Sequence, residues 1–407
     1  MGVQSNFSPL SPLPSESSNM SALTDRPLSE IYDKEDRLCP AAEHRPSRRF
    51  ARFKTQFDAQ IVGKKKALRN RIFLALFLIV VVGGVIVLIW FSLVLALIHR
   101  LTPSNPSNGL QKIVDQWDTP SDSVSLLTPW PKDFSQGIVP VSCHSHNDYW
   151  RSVPLYEALA GGCTGVEADV WLDGKDLLVG HRKNSLSSDR TLNSLYIEPL
   201  SIALSNLNHG SSASAPVGLF NVDPSTTVTL LIDIKSDPVT TWPVLHDQLS
   251  PLIAGGWLSH WNGTSKALVR GPITVVGTGN THFDQVVADH DRYIFFDAPL
   301  PDLSHNSSYG PENSYYASVS LKKAVGTIWL WGPTADQQDA MQEMIRAAAD
   351  RGLVSRFWST PSWPVSLRLK VWRFLAEHQV GMLNVDNIVE ATRWNWDWCI
   401  VAGLVLC

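Results

Sequence analysis

The chain has 407 residues, enough for one large domain with appended segments. Its net charge of −4 is small, and no basic run occurs outside the N-terminal segment, which excludes a typical nucleic-acid-binding protein. The five cysteines form no CxxC pair and no zinc-binding spacing. We expect Cys143 and Cys163 to lie near opposite ends of neighbouring strands, and therefore not to pair.

The N-terminal segment predicts a membrane anchor. Residues 1–71 lack hydrophobic periodicity and become basic after residue 44, which predicts a disordered tail. Residues 72–98 then carry no charge, and this run exceeds the roughly 20 apolar residues that cross a bilayer. A soluble core helix would show a polar face, and a signal peptide would be shorter and nearer residue 1. We therefore predict a transmembrane helix over residues 72–98.

The charge distribution around this span predicts its orientation. Because the basic cluster precedes the span, the positive-inside rule places residues 1–71 in the cytoplasm and the rest in a lumen or outside the cell. This is a single-pass type II topology. N-glycosylation sequons at Asn262 and Asn306 fall on the far side, which predicts a glycoprotein. Residues 99–136 are rich in Pro, Ser and Asp and are predicted to be a linker.

From residue 137 to residue 407 the pattern predicts an α/β fold. Short apolar runs alternate with helix-compatible stretches about eight times, which favours a (β/α)8 TIM-type barrel over a doubly wound sheet. The predicted strands are 137–143, 165–171, 229–234, 273–276, 293–296, 317–321, 353–357 and 381–385. Predicted helices include 154–160, 238–252, 336–351 and 367–379. A turn at Asp173-Gly174 predicts a small hairpin arm, 177–180, that leads to His181.

Ionisable residues fall at the ends of the first three predicted strands, where barrel enzymes carry their reactive groups. Glu167 and Asp169 are two residues apart on one strand, so their side chains share a face, and Asp233 and Lys235 repeat this spacing. Three carboxylates at one barrel mouth would repel one another unless a cation were present. We therefore expect one divalent cation, Mg²⁺ or alternatively Ca²⁺, bound to carboxylate oxygens.

The order of these motifs resembles a known group of barrels. His-x-x-Asn, Glu-x-Asp, His and Asp-x-Lys resemble the motifs of phospholipase C-like barrels, which include glycerophosphodiester phosphodiesterases and venom-type phospholipase D. The closer resemblance is to the fungal altered inheritance of mitochondria protein 6 family. It extends over about residues 138–390, through segments 144–149, 165–170, 190–192, 194–197, 231–236, 356–361 and 384–387.

The resemblance implies a role for each residue. His144 and His181 would be the acid/base pair, with Lys235 acting at the phosphate. Glu167, Asp169 and Asp233 would bind the metal. His146 and Asn147, in the loop beyond the first strand, are expected to bind substrate, and Trp358 to form a wall of the pocket. Either His144 or His146 could be the leading histidine, and we favour His144 because it lies at the end of the predicted strand. A glycerophosphodiesterase usually has His-Arg-Gly at 144–146 and Glu-x-Lys at 233–235, so these differences favour the phospholipase D-like arrangement.

The sequence thus predicts a membrane-anchored, metal-dependent phosphodiesterase that acts on a phosphodiester, with a phospholipid as one candidate substrate. Attack by water would make it a hydrolase, whereas attack by a substrate hydroxyl would make it a cyclising lyase. The first alternative is a non-catalytic membrane protein that binds a phospho-ligand or a protein partner in the barrel mouth. The second is a scaffold that acts through residues 1–71. No nucleic-acid partner is expected.

Overall fold

The computed structural model describes residues 48–102, 104–210, 215–393, 400–401 and 404–405. Most of the segment predicted to be disordered, residues 1–47, lies outside these ranges. The chain divides into two compact units, one ending at Ile86 and the other beginning at Val87.

Helix α1, Arg48–Leu101, contains the predicted span. It begins well before residue 72, so the basic stretch that was predicted as part of a disordered tail is helical from Arg48 onward. Lys, Arg, Gln and Ala, which dominate that stretch, are all good helix formers. Most apolar side chains of the span are exposed. By length and composition alone, this helix qualifies as a candidate membrane span.

The second unit contains the predicted barrel. Eight parallel strands of the main sheet form a closed barrel, because the first of them pairs with both the second and the last. The strands of this sheet are β1 Val141–Ser145, β2 Cys163–Asp173, β3 Asp176–Val179, β4 Val228–Ile234, β7 Ile273–Gly279, β8 Ile294–Pro299, β9 Ser314–Ser320, β10 Val354–Trp358 and β11 Met382–Val385. The TIM-type prediction is confirmed, including the sixth barrel strand, although β1 lies further along the chain than predicted.

Short strands and helices lie outside the eight barrel strands. Strand β3 pairs antiparallel with β2 across the predicted turn at Gly174, so the hairpin arm is confirmed. Two further two-stranded sheets are β5 His260–Asn262 with β6 Ala267–Val269, and β12 Ile400–Val401 with β13 Leu404–Val405. The remaining helices are α2 Gly109–Gln116, α3 Asp122–Leu126, α4 Tyr156–Gly161, α5 Glu198–Asn208, α6 Pro238–Ala254, α7 Phe283–Ala288, α8 Leu321–Val325, α9 Ala335–Asp350, α10 Val365–Glu377 and α11 Ile388–Arg393.

The predicted linker is folded over much of its length. Helix α2 buries Leu110 and Ile113, which stand three residues apart and so share one helical face. The side chain of Asn108 accepts a hydrogen bond from the Gln111 backbone N–H and caps this helix. The Pro- and Ser-rich composition concealed this short apolar face, so the linker prediction was wrong for α2 and α3.

Two apolar clusters stabilise the barrel. The larger one fills the space between the sheet and the surrounding helices. The smaller one lies in a separate layer and consists of Leu231, Val276, Tyr316 and Met382. Polar residues of the same strands, among them Glu167 and Arg356, are also buried. The strands therefore contribute both an apolar layer and buried polar side chains.

A disulfide joins β1 to β2, contrary to our expectation. Cys143 and Cys163 are bonded, with their Cα atoms 4.8 Å apart, and both are fully buried. Strand β2 begins opposite Val141, and an irregularity between Val141 and His144 shifts the register of the pair. The prediction was wrong because it placed β1 too early in the chain, which moved Cys143 to its end.

The double variant Cys143→Ala/Cys163→Ala is expected to lower the free energy of unfolding by about 3 kcal/mol. The disulfide closes a loop in the unfolded chain, and its removal restores the conformational entropy that this loop closure takes away. Thermal or urea unfolding of the full chain measures this. Reducing agent should destabilise the wild type by a similar amount and leave the variant unchanged. Equal stability of the oxidised wild type and the variant would contradict the bond.

Candidate functional site

Three carboxylates converge at the mouth of the barrel. Glu167 and Asp169 alternate on β2 and therefore share a face, and Asp233 on β4 lies directly opposite Asp169 in the parallel register. One oxygen from each carboxylate lies within 4.8 Å of the others. Glu167 and Asp169 are buried, and Asp233 is nearly so. The sequence-based expectation that these three side chains meet is confirmed.

A glycine makes room for this cluster. Gly279 ends β7 and pairs with Ile234, the residue that follows Asp233. Its φ of +68° lies in the left-handed region, and a Cβ atom built on it would lie 1.9 Å from Oδ1 of Asp233. Any other residue here would have to displace the carboxylate, so the position of Asp233 depends on Gly279.

Lys235 supplies the nearest positive charge. Its Nζ donates to Oδ2 of Asp233 at 2.6 Å and lies 3.0 Å from Oδ2 of Asp169. Burial, together with the neighbouring carboxylates, still raises the pKa of Asp169 and raises that of Asp233 to about 6, so one ammonium group does not fully compensate this charge. The other oxygen, Oδ1, of both aspartates is buried and has no hydrogen-bond partner among the described residues. These oxygens fit a divalent cation, which requires such ligands.

His181 lies beside the cluster, beyond the hairpin arm. Its Nδ1 is 3.2 Å from Oδ2 of Asp169 and 3.3 Å from the hydroxyl of Tyr149, and its side chain is 42% exposed. Because an ionised carboxylate only accepts hydrogen bonds, the proton in this contact sits on Nδ1. Nε2 is therefore the nitrogen that remains free to exchange protons.

His146 has a similar arrangement with a different acid. Its Nδ1 donates to Oδ1 of Asp386 at 2.7 Å, and its side chain is 26% exposed. Burial alone would lower the pKa of His146, but Asp386 and Glu167 outweigh it and raise that pKa. Two partly exposed histidines at this mouth are thus each oriented through Nδ1 by a carboxylate.

His144, by contrast, is fully buried. Its Nε2 lies 3.5 Å from Oε2 of Glu167, and its Nδ1 lies 3.3 Å from the hydroxyl of Tyr316. Burial lowers the pKa of His144 to about 4, so the ring is neutral at pH 7. This histidine contacts a predicted metal ligand but has no surface that a substrate could reach in this structure.

A buried arginine also stabilises the negative charge of Glu167. Arg356 on β10 lies 3.9 Å from Glu167 and 3.7 Å from Asp297, and its Nη1 donates to Oδ1 of Asn384 at 2.8 Å. Burial would raise the pKa of Glu167, but the contacts with His144 and Arg356 hold that pKa well below its usual range. Glu167 therefore remains ionised and able to bind a cation.

The loop after β1 connects the two exposed histidines. Asn147 is buried in the left-handed conformation, and its backbone N–H donates to Oε2 of Glu167 at 3.3 Å. Its side-chain oxygen accepts a 2.6 Å hydrogen bond from Tyr149, the hydroxyl that also contacts His181. Asn147 thus positions its neighbours. Asp148 fixes the same loop by accepting hydrogen bonds from Ser145, Tyr196 and the Leu155 backbone.

Trp358 ends β10 at the same mouth and is 36% exposed, but the described ring and hydrogen-bond contacts do not join it to the carboxylates. Five further residues, to which the sequence motifs give no site role, lie in or against the site, and these are Tyr149, Gly279, Asp297, Arg356 and Asp386. Tyr149, Arg356 and Asp386 lie within motifs that carry the resemblance, and that was their only signal.

Comparison with known proteins shows the family to which the chain belongs. The model of the AIM6-like phosphodiesterase domain matches residues 132–297, which include all three carboxylates. The altered inheritance of mitochondria protein 6 homolog of Arthroderma benhamiae is 40% identical over 299 residues, covering 70% of this chain and 92% of the relative. The chain belongs to the altered inheritance of mitochondria protein 6 family. The resemblance noted in the sequence is therefore confirmed.

Two other members show the breadth of the family. The protein from Eremothecium gossypii is 40% identical over 266 residues, which is 62% of this chain and 68% of the relative. The Saccharomyces cerevisiae S288c protein is 34% identical over 283 residues, which is 63% of this chain and 72% of the relative. No solved structure matches the chain significantly.

The close approach of Gly279 to Asp233 gives a direct test of the candidate metal site. Gly279→Ala should lower the affinity for Mn²⁺ or Mg²⁺ by about 10–100-fold, because the new Cβ displaces a ligand carboxylate. Isothermal titration of the full chain measures this affinity.

Gly256→Ala is the matched control, since Gly256 has a φ of +70° with nothing within 4 Å of its Cβ. Both variants carry a similar backbone strain of about 1–2 kcal/mol. Equal cation affinity of the two variants would show that the carboxylates near Gly279 do not hold the ion.

Proposed function

We propose that this protein is a metal-dependent phosphodiesterase that cleaves a phosphodiester at the barrel mouth by two-histidine acid/base catalysis. The observation that carries the proposal is the pairing of an acidic cluster with two exposed histidines, each oriented by a carboxylate. A phosphodiester has an anionic centre to be neutralised and two oxygens between which a proton must move. The site offers a group for each of these requirements.

Glu167, Asp169 and Asp233 would hold the divalent cation, with Mg²⁺ as the first candidate and Ca²⁺ as the second. When bound, the ion neutralises phosphate oxygens and acts as a Lewis acid. Lys235 would hold a phosphate oxygen as a point charge once the ion compensates the aspartates it now contacts. Trp358 would form part of the pocket wall.

The two histidines would share the proton transfers. We assign these roles to His146 and His181, because both are partly exposed and neither Nε2 has a hydrogen-bond partner among the described residues. One would take the proton of the attacking hydroxyl, and the other would protonate the leaving oxygen. His144, the leading candidate from sequence, would instead support Glu167 from the interior, since it is fully buried.

The proposal extends to the attacking group and to the class of substrate. The attacking group is either water, which gives hydrolysis, or a hydroxyl of the substrate, which gives a cyclic phosphate. The proposed substrate class is a lipid-derived phosphodiester. The candidate membrane span in the same chain supports this class, because a bilayer anchor keeps the site near lipid headgroups.

We also propose the type II arrangement, with residues 72–98 as the span and the barrel in a lumen or outside the cell. The basic residues before the span support it through the positive-inside rule. The buried Cys143–Cys163 bond supports it independently, because disulfides persist mainly in oxidising compartments.

Turnover is tested with the full chain in detergent, Mg²⁺ and a panel of glycerophosphodiesters, lysophospholipids and sphingomyelin. Phosphorus NMR of the products distinguishes a cyclic phosphate from a monoester. His146→Ala and His181→Ala should each lower kcat by about 10²–10⁴-fold, since each removes a proton-transfer group. A chelator should abolish turnover.

His290→Ala is the control, because this histidine is exposed and lies outside the site. Added imidazole should partly restore His146→Ala, whose vacated position opens to solvent. If the panel shows no turnover while a phosphodiester still binds with an affinity that the chelator does not change, the non-catalytic alternative is correct and the phosphodiesterase proposal fails.

The topology predicts glycans at Asn262 and Asn306, both of which are partly exposed. Glycosidase treatment of the protein from a eukaryotic host should reduce its mass, and Asn262→Gln/Asn306→Gln should remove this shift. A glycosidase-sensitive shift that persists in the double variant would contradict glycosylation at these two sites.

A further inference from the structure

Four large apolar side chains are exposed on two neighbouring loops. Trp329, Leu330 and Trp331 lie between β9 and α9 with 59%, 59% and 70% of their surfaces exposed, and Trp363 lies between β10 and α10 with 79% exposed. Strands β9 and β10 pair in parallel, so both loops leave the carboxyl end of the barrel, where the site lies. We call these four residues the aromatic rim.

The rim has a defined backbone conformation. The Gly332 N–H donates to the Trp329 carbonyl at 2.8 Å, which closes a tight turn that Gly332 permits with a φ of +105°. The rings of Trp329 and Trp331 stack with centroids 5.9 Å apart. Lys370 on α10 lies 3.5 Å from the carbonyls of Leu330 and Trp331. The turn therefore holds two indoles in solvent at the cost of leaving apolar surface exposed.

The two chain segments that carry the rim contain basic residues and no acidic ones, although Glu377 lines the same pocket as Trp331. Residues 321–335 and 358–376 contain no aspartate or glutamate. The same segments contribute three exposed lysines, which are Lys322, Lys323 and Lys370. The first acidic residues beyond them are Asp336, on the first turn of α9, and Glu377, at the end of α10. Indoles flanked by lysines match an anionic lipid surface, because tryptophan favours the interface and lysine attracts acidic headgroups.

We propose that the aromatic rim docks on the surface of an anionic lipid bilayer and so holds the barrel mouth at the level of the headgroups. This contact is separate from the α1 span. Six residues separate Leu101 from Asn108, whose side chain donates a hydrogen bond to the Gln136 carbonyl. At the maximal extension of a chain, the seven residue steps from Leu101 to Asn108 span about 25 Å. If α1 crosses a bilayer, the barrel therefore stays within reach of the surface of that bilayer, and the docking requires anionic lipid in the leaflet on the barrel side.

Amide hydrogen exchange of the full chain in lipid nanodiscs tests this docking. We expect exchange in residues 327–333 and 359–364 to be several-fold slower in nanodiscs that contain phosphatidylserine than in nanodiscs of phosphatidylcholine alone. The turn at residues 350–353, which precedes β10 at the other end of the barrel, should not change. The triple variant Trp329→Ser/Trp331→Ser/Trp363→Ser should lose the protection, whereas Val222→Ser, a change at another exposed apolar residue, should keep it.

Equal exchange with and without phosphatidylserine would overturn the proposal, as would protection that survives in the triple variant. Docking and catalysis are distinguished by a water-soluble phosphodiester, on which the triple variant should retain the turnover of the wild type. Loss of that turnover would place the rim in the catalytic site and would also contradict docking. A wild type that shows protection without any turnover would leave the docking intact and refute only the phosphodiesterase proposal.

Discussion

The compensation of negative charge at the barrel mouth governs the arrangement around it. Three carboxylates lie within one ion's reach because the parallel register places Asp233 opposite Asp169. Lys235 balances the two aspartates, while Arg356 and His144 stabilise Glu167. One oxygen of each aspartate still has no hydrogen-bond partner among the described residues. A divalent cation would complete it, and the same ion would provide the charge that phosphodiester cleavage requires.

The chemistry proposed for the histidines follows from their carboxylate partners. Asp169 orients His181 and also belongs to the acidic cluster, so the proposed proton-transfer group and the candidate metal site have one residue in common. Asp386 orients His146 from the end of the last barrel strand, beside the first. Closure of the barrel thus brings together residues 240 positions apart in the chain. A carboxylate that accepts a hydrogen bond from Nδ1 fixes the tautomer of a catalytic histidine.

Much of this could be predicted from the sequence, because it depends on local spacing. Alternation on β2 and β4 was enough to place Glu167 with Asp169 and Asp233 with Lys235, and eight repeats predicted the barrel. Contacts between distant segments left no local signal. The Cys143–Cys163 bond depended on a register irregularity, and the role of Asp386 on barrel closure. His144 is buried and His146 is partly exposed because β1 ends at Ser145, between them. The alternation of side chains along a strand does not predict at which residue the strand ends.

A crystal structure of the full chain with Mn²⁺ and a phosphorothioate diester, which resists cleavage, tests the central claim most directly. The account predicts an anomalous manganese peak with oxygens of Glu167, Asp169 and Asp233 at roughly 2.0–2.6 Å. It also predicts the diester on that ion, with Nε2 of His146 and of His181 on opposite sides of the phosphorus. A manganese ion elsewhere, or a diester bound away from both histidines, would contradict the account.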